Sequence, residues 1–177
     1  GGVRGGRRIG QIAADRRAGW LPVAVVATVG TTSTGSVDPV AAIADVCATE
    51  RLWLHVDASY GGAAALVPRC ALMFEGMARA DSVVINPHKW LFTPLDLSVF
   101  YCRRFEVLRE LLHVAPEYLA GGDPPGVGNV KDAGIALGRR FRALKLWMVL
   151  RYFGAAGLRA HIAAHLDLAT TFAAWVD

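Results

Sequence analysis

The stretch Asn86-Pro87-His88-Lys89-Trp90 places an ammonium just after an apolar run, Val83-Val84-Ile85. Burying a lysine without a partner is costly, so most lysines stay solvated. With Trp90, Leu91 and Phe92 beside it, this one reads as sheltered. A sheltered ammonium gives up its proton more readily, and the free amine can form a Schiff base with an aldehyde. The plainer alternative is a lysine reaching from a strand end to solvent. A second candidate, Asp57, closes His55-Val56-Asp57 after the apolar Leu52-Trp53-Leu54. A lysine and a carboxylate are what pyridoxal 5'-phosphate (PLP) needs. The lysine takes its aldehyde, and the carboxylate keeps its ring nitrogen protonated so that the ring accepts electrons from a carbanion. The plainer reading of Asp57 is a helix cap for the Gly61-Gly62 segment.

These residues need a scaffold that presents them together. Residues 23–29 are a near-continuous β-branched run, the pattern of a strand buried on both faces of a parallel sheet. Strands are also expected over 52–56, 81–85 and 97–101, with His55 and Asp57 on one side by period two. Lys89 and Asp57 each follow such a strand, at the end where open α/β sheets place ligands. Helices are expected over 9–17, from Asp38-Pro39 (as N-cap and first turn) to Glu50-Arg51, over 105–112, over 137–153 and over 158–176, with Gly154 and Gly157 as interruptions. The loop from Gly30 to Ser36 is rich in hydroxyls but has no lysine after Gly35, so it is not a nucleotide P-loop. The small residues from Ala58 to Gly62 would let a flat ligand approach the backbone. The glycine- and proline-rich stretch 121–128 holds no regular pattern. Strand alternating with helix makes this an α/β chain with a mostly parallel sheet flanked by helices.

Composition narrows the classes. A chain of 177 residues with 54% apolar content is enough for one domain with a real core. The most apolar stretches are broken by Gly, Pro, Arg or Asp, so no membrane span is expected. The Gly/Arg-rich start has no apolar stretch behind it and does not read as a secretory signal. Three cysteines, Cys47, Cys70 and Cys102, are widely spaced and odd in number, which suits reduced thiols in a cytoplasmic protein. The net charge of +4 comes with arginine clusters. Arg- and Ala-rich composition produces such clusters without nucleic acid, and no nucleic-acid partner is expected.

Four blocks then occur in order: Ala27-Thr28-Val29-Gly30-Thr31-Thr32, His55-Val56-Asp57-Ala58, Asn86-Pro87-His88-Lys89-Trp90 and Leu137-Gly138-Arg139-Arg140-Phe141-Arg142. On these the chain resembles the group II PLP-dependent amino-acid decarboxylases of the aromatic-L-amino-acid decarboxylase type, from about residue 15 onward. The resemblance implies the large domain of the PLP-dependent transferase-like fold (fold type I), truncated at both ends. Residues 1–177 would be part of that domain, with 15–155 the core of the likeness and 156–177 a helix leading towards a C-terminal small domain. It implies PLP as cofactor, an L-amino acid as substrate, and a homodimer. Lys89 would carry the cofactor as a Schiff base, and Asp57 would face the pyridine nitrogen. Asn86 and His88 would lie by the phosphate end, with Thr32 near the ring. Ser59 stands against the ring face, where the family usually has alanine. Tyr118 falls where the family has a mobile-loop tyrosine that returns a proton after CO2 leaves; related aldehyde synthases typically have phenylalanine there. Leu97 and Ala133 also depart from the usual residues, cysteine and tryptophan.

Other readings stay open at this stage. Within the family they are an aldehyde synthase, an acidic amino-acid decarboxylase or an inactive fragment. Outside it, His55, Asp57 and His88 could make a two-histidine, one-carboxylate iron site, although that chemistry normally sits in a jelly roll. A basic nucleic-acid-binding module is the non-enzyme alternative.

Overall fold

The computed structural model describes residues 5–112, 134 and 138–176. Strands β1 (Ala24–Thr28), β2 (Trp53–Asp57), β3 (Ser82–Ile85) and β4 (Val99–Cys102) form one sheet in the order β1-β2-β3-β4. The pairs β1–β2 and β2–β3 are parallel. Parallel neighbours need crossovers. Helix α2 (Val40–Glu50) makes the first, and three short 3₁₀ segments (Gly61–Leu66, Pro68–Phe74, Met77–Arg79) make the second. Helix α1 (Gly5–Arg17) precedes the sheet, α3 (Pro87–Trp90) is a single turn after β3, and α4 (Phe105–Leu112) follows β4. The expected strands and the α/β class are therefore present, with ends shifted by a few residues.

The core lies on one face of the sheet. Ile43, Ala44 and Cys47 of α2 bury against Ala27, Val29, Leu54 and Val56. The other face carries Val26, 53% exposed, and Phe100, 49% exposed. Residues 23–29 are thus not buried on both faces as their composition suggested. Side chains alternate across a strand, and among the described residues α2 covers only the side that Ala27 and Val29 occupy.

Asp38 also differs from expectation. It does not cap α2, whose N-cap is Pro39 with no side-chain hydrogen bond. Instead the Asp38 carboxylate accepts from the Thr28 N–H at 2.9 Å, and its own N–H donates to the Thr28 carbonyl at 2.9 Å. Asp38 therefore pins the return of the loop against the end of β1. A bridge from Val29 to Val37 closes the same loop.

The glycines after β2 serve the protein's own packing. The Gly61 N–H donates to the Val29 carbonyl at 3.2 Å, and a Cβ on Gly61 would stand 2.4 Å from that oxygen. A Cβ on Gly62 would meet Ile85 at 2.9 Å. Neighbouring strand ends thus pack closely against both glycines. Gly61→Ala should consequently destabilise the protein by about 2 kcal/mol, as forced overpacking does. Thermal unfolding of the purified full-length variant measures this, and an unchanged midpoint would contradict it.

Helix α5 (Ala143–Val176) begins six residues later than its apolar pattern suggested. It breaks at Gly154, whose φ of 64° and ψ of 172° are non-helical, and continues through Gly157. Its second half packs on the 3₁₀ segments: Ile162 is buried with Ala63, Ala64, Val67 and Cys70. Arg69 donates to the Ala163 carbonyl at 3.0 Å and to Asp167 at 2.6 Å, and Arg159 donates to the Leu66 carbonyl at 2.8 Å. At the start of α5, Arg142 pairs with Asp96 at 2.8 Å. Its guanidinium holds the Asp96 carboxyl down at about 2.

Cys47, Cys70 and Cys102 are free thiols. Among the described residues no helix is long and apolar enough to cross a membrane. The chain divides into two units, Gly1–Tyr101 with Arg142–Asp177, and Cys102–Phe141. Every described side chain of the candidate site belongs to the first.

Candidate active site

The carboxyl ends of β1, β2 and β3 are laced together by backbone bonds. The Val29 N–H donates to the Asp57 carbonyl at 2.8 Å, Ala58 to Val84 at 3.0 Å, and Asn86 to Ser59 at 3.0 Å. This lacing brings Asp57-Ala58-Ser59 beside Asn86 and the one-turn helix that holds Lys89. The turn is closed by the Leu91 N–H donating to the Pro87 carbonyl at 3.1 Å, and the Lys89 backbone N–H donates to the Asn86 carbonyl at 2.9 Å.

Asp57 is half-buried, and its Oδ1 accepts from the Ser59 N–H at 3.0 Å. Burial pushes its carboxyl up, but the Ser59 hydroxyl and N–H, with the positive charge of Lys89, bring it below the ordinary 3.8. Asp57 is therefore a carboxylate at neutral pH, and Lys89 is close enough for its ammonium to be felt. The Ser59 hydroxyl also bonds the Asp57 carboxylate.

Lys89 is exposed, contrary to the shelter its neighbours implied. In a helix of one turn only Pro87 is buried, and the apolar neighbours turn elsewhere. Trp90 stacks on Tyr60 at 5.1 Å and donates its indole N–H to His165 Nδ1 at 3.0 Å, while Phe92 meets His161 and His165 edge-on. Lys89 opens on a cleft of about 540 Å³ walled by Gly30, Tyr60, Met73, Trp90 and His165. His161 and His165 are thus packed among aromatic rings; His113 lies outside the described residues.

His88 is fixed by the backbone of Leu97. Its Nδ1 lies 2.9 Å from the Leu97 N–H and 2.5 Å from the Leu97 carbonyl, so a bare Nδ1 accepts from the first and a protonated one donates to the second. Leu97 is buried. The Asn86 side chain accepts from the Ser98 hydroxyl. Thr32 is exposed on a loop tied by its neighbours: Thr31 and Thr34 share a hydrogen bond at 2.8 Å, and Thr34 and Ser36 another at 2.7 Å. Thr32 does not line the cleft. Tyr118 and Ala133 lie outside the described residues.

Sequence reasoning passed over Ser82, which is buried, and whose Oγ accepts from the Trp53 indole N–H at 2.8 Å and lies 2.8 Å from His55 Nδ1. The available signal was a serine opening an otherwise apolar strand. Nothing in sequence pointed to His165, which is remote from Trp90 along the chain. Among the described residues no three His, Cys, Asp or Glu side chains gather as a metal site, so His55, Asp57 and His88 do not form an iron centre. An ionised carboxylate and an amine at adjoining strand ends are the donor set that PLP takes, so the residues fit that group.

Comparison with known proteins agrees with this geometry. Residues 4–177 match the family model described as the pyridoxal-dependent decarboxylase conserved domain. A solved structure of Oryza sativa TDC with PLP and tryptamine is 44% identical, with a TM-score of 0.91 over 97% of this chain and 35% of that one. Catharanthus roseus tryptophan decarboxylase in complex with L-tryptophan is 36% identical, with a TM-score of 0.90 over 99% of this chain and 37% of that one. Phenylacetaldehyde synthase from a Rosa hybrid cultivar is 42% identical over 91% of this chain and 31% of its own length. The chain thus spans about a third of the length of these relatives.

Proposed function

The chain belongs to the pyridoxal-dependent decarboxylase family, and from that membership we propose that it is part of the large domain of an enzyme that converts an aromatic L-amino acid to its amine and CO2 with PLP. The observation that carries this reading is the pairing of Asp57, held ionised, with the accessible amine of Lys89 at neighbouring strand ends. Bound here, PLP supplies an aldehyde and an electron-accepting ring. Lys89 Nζ would hold the cofactor's aldehyde. Asp57 Oδ atoms hold the proton on the ring nitrogen. Ser59 orients that carboxylate through its N–H. Asn86 and His88 stand by the phosphate end, and Thr32 near the ring. The exposure of Lys89 allows the substrate amine to reach it, and cover for the site comes from a second copy of the chain in a homodimer. Residues 156–177 lead towards a small domain, and the enzyme works in the cytoplasm. The relatives with tryptamine and with L-tryptophan support an aromatic substrate.

Tyr118 decides between two products. Its phenol returns a proton to the carbon that has lost CO2, and the amine is released. Without that proton, O2 can oxidise the same carbon and water hydrolyse the product, giving aldehyde, ammonia and hydrogen peroxide together with the CO2. The similarity to phenylacetaldehyde synthase favours this as the second reading. Tyr118→Phe in the full-length enzyme should lower the amine yield roughly 10²-fold or more, the lower part of the range for loss of a general acid, and raise aldehyde and peroxide. Product partition under air, by chromatography with a peroxide assay, is the measurement. Amine at the parental rate with no aldehyde would remove Tyr118 from the mechanism. The whole reading is tested by screening the full-length protein for CO2 release from aromatic L-amino acids, and release from none of them would refute it.

A further inference from the structure

Ser82 and Thr93 are the buried polar side chains among the described residues, at 3% and 4% exposure. Buried hydroxyls need partners for both their oxygen and their hydrogen. The Ser82 oxygen is taken by the Trp53 indole, which can only donate, at 2.8 Å. The hydroxyl hydrogen needs an acceptor, and His55 Nδ1 lies 2.8 Å away. An acceptor Nδ1 is a neutral imidazole with its proton on Nε2. The register explains the meeting: Ser82 of β3 is the direct partner of His55 in β2, and Trp53, His55 and Asp57 share one face of β2. Phe100 of β4 stacks on the imidazole at 6.1 Å with 25° between the planes, and Val26 of β1 is its partner on the other side. Among the described residues the charge felt by His55 is that of Asp57, which draws it towards protonation, and burial opposes this and prevails.

We propose that His55 is held neutral beside Asp57 by the Trp53–Ser82 pair, so that no imidazolium competes with the cofactor's ring nitrogen for the carboxylate. An imidazolium two residues from Asp57 would partly neutralise the charge that the ring needs. It would also turn Nδ1 into a donor facing an oxygen that already accepts from Trp53, leaving the buried hydroxyl hydrogen without an acceptor. This rests on the proposed PLP site, and it adds a device that keeps that site's carboxylate uncompensated as pH falls towards the ordinary histidine range.

The test uses the full-length apoenzyme and measures PLP affinity by absorbance at about pH 8 and about pH 6, on either side of the histidine range. Each variant is expressed relative to wild type at the same pH, which cancels the titration of PLP itself. Ser82→Ala should bind within about threefold of wild type at the higher pH and roughly tenfold more weakly at the lower, the effect of about one pKa unit of lost coupling. Ser82→Thr, which keeps the hydroxyl, should follow wild type at both. Adding His55→Gln, a side chain that cannot charge, to Ser82→Ala should abolish the pH-dependent loss. Ser82→Ala tracking wild type at both pH values overturns the proposal. If Ser82→Ala does not fold, His55→Gln alone decides. Wild-type affinity at both pH values supports a neutral His55, and weakened binding at both overturns it. Wild-type protein that binds no PLP overturns the cofactor site as well, so the two failures are distinguishable.

Discussion

Lys89→Ala in the full-length enzyme should abolish turnover, a loss of roughly 10⁴-fold or more, the scale on which removal of a covalent catalytic group is felt. The side chain is exposed and its turn is held through Pro87 and Trp90. The fold should therefore be nearly unaffected, within about 0.5 kcal/mol as for other surface positions. Lys89→Arg should fail equally, because a guanidinium keeps the charge but offers no nucleophilic amine. The measurement pairs steady-state decarboxylation with thermal unfolding. Activity in either variant near the wild-type rate, with the fold intact, would contradict covalent attachment at Lys89.

Asp57→Asn should cost about 10²–10³-fold in kcat, the range for removing one electrostatic group aimed at developing charge. The amide can still accept from the Ser59 N–H, so stability should hold while the charge at the ring nitrogen is lost. Asp57→Ala should lose activity and about 1 kcal/mol of stability besides, since that hydrogen bond goes too. Near-normal turnover by the Asn variant would remove Asp57 from its role. The pH dependence has a definite sign. The folded-state carboxyl lies below the ordinary 3.8, so its stabilising effect is complete above the unfolded value. It is lost only as pH falls through the lower folded value. Wild type should therefore lose stability on acidification below about pH 4, and Asp57→Asn should show less of that loss.

Much of this was legible in the sequence because strand ends are legible. The apolar runs before Asp57 and Asn86 set where β2 and β3 stop, and parallel pairing then brings the following residues to one edge. The period-two alternation of His55 and Asp57 fixed their shared face. What was not legible depends on contacts far apart in sequence. Lys89 looked sheltered because Trp90 and Phe92 are apolar, yet those rings turn to Tyr60 and to His165 of α5, which no local pattern specifies. Residues 23–29 looked buried on both faces because composition reports hydrophobicity and not which layers are present. Asp38 read as a cap because Asp-Pro before an apolar period usually is one, whereas the Thr28 N–H competed successfully for its carboxylate. Gly61 and Gly62 read as room for a ligand; Gly61 does line the cleft, but sequence cannot say that Val29 and Ile85 also pack against these glycines.

The account turns on which side chain carries the cofactor. Borohydride reduction of the PLP-loaded full-length protein, followed by peptide mapping, fixes the pyridoxyl group wherever it is attached. The label should fall on the peptide containing Asn86-Pro87-His88-Lys89-Trp90, at Lys89. Label on another lysine with none on Lys89 would contradict the central claim.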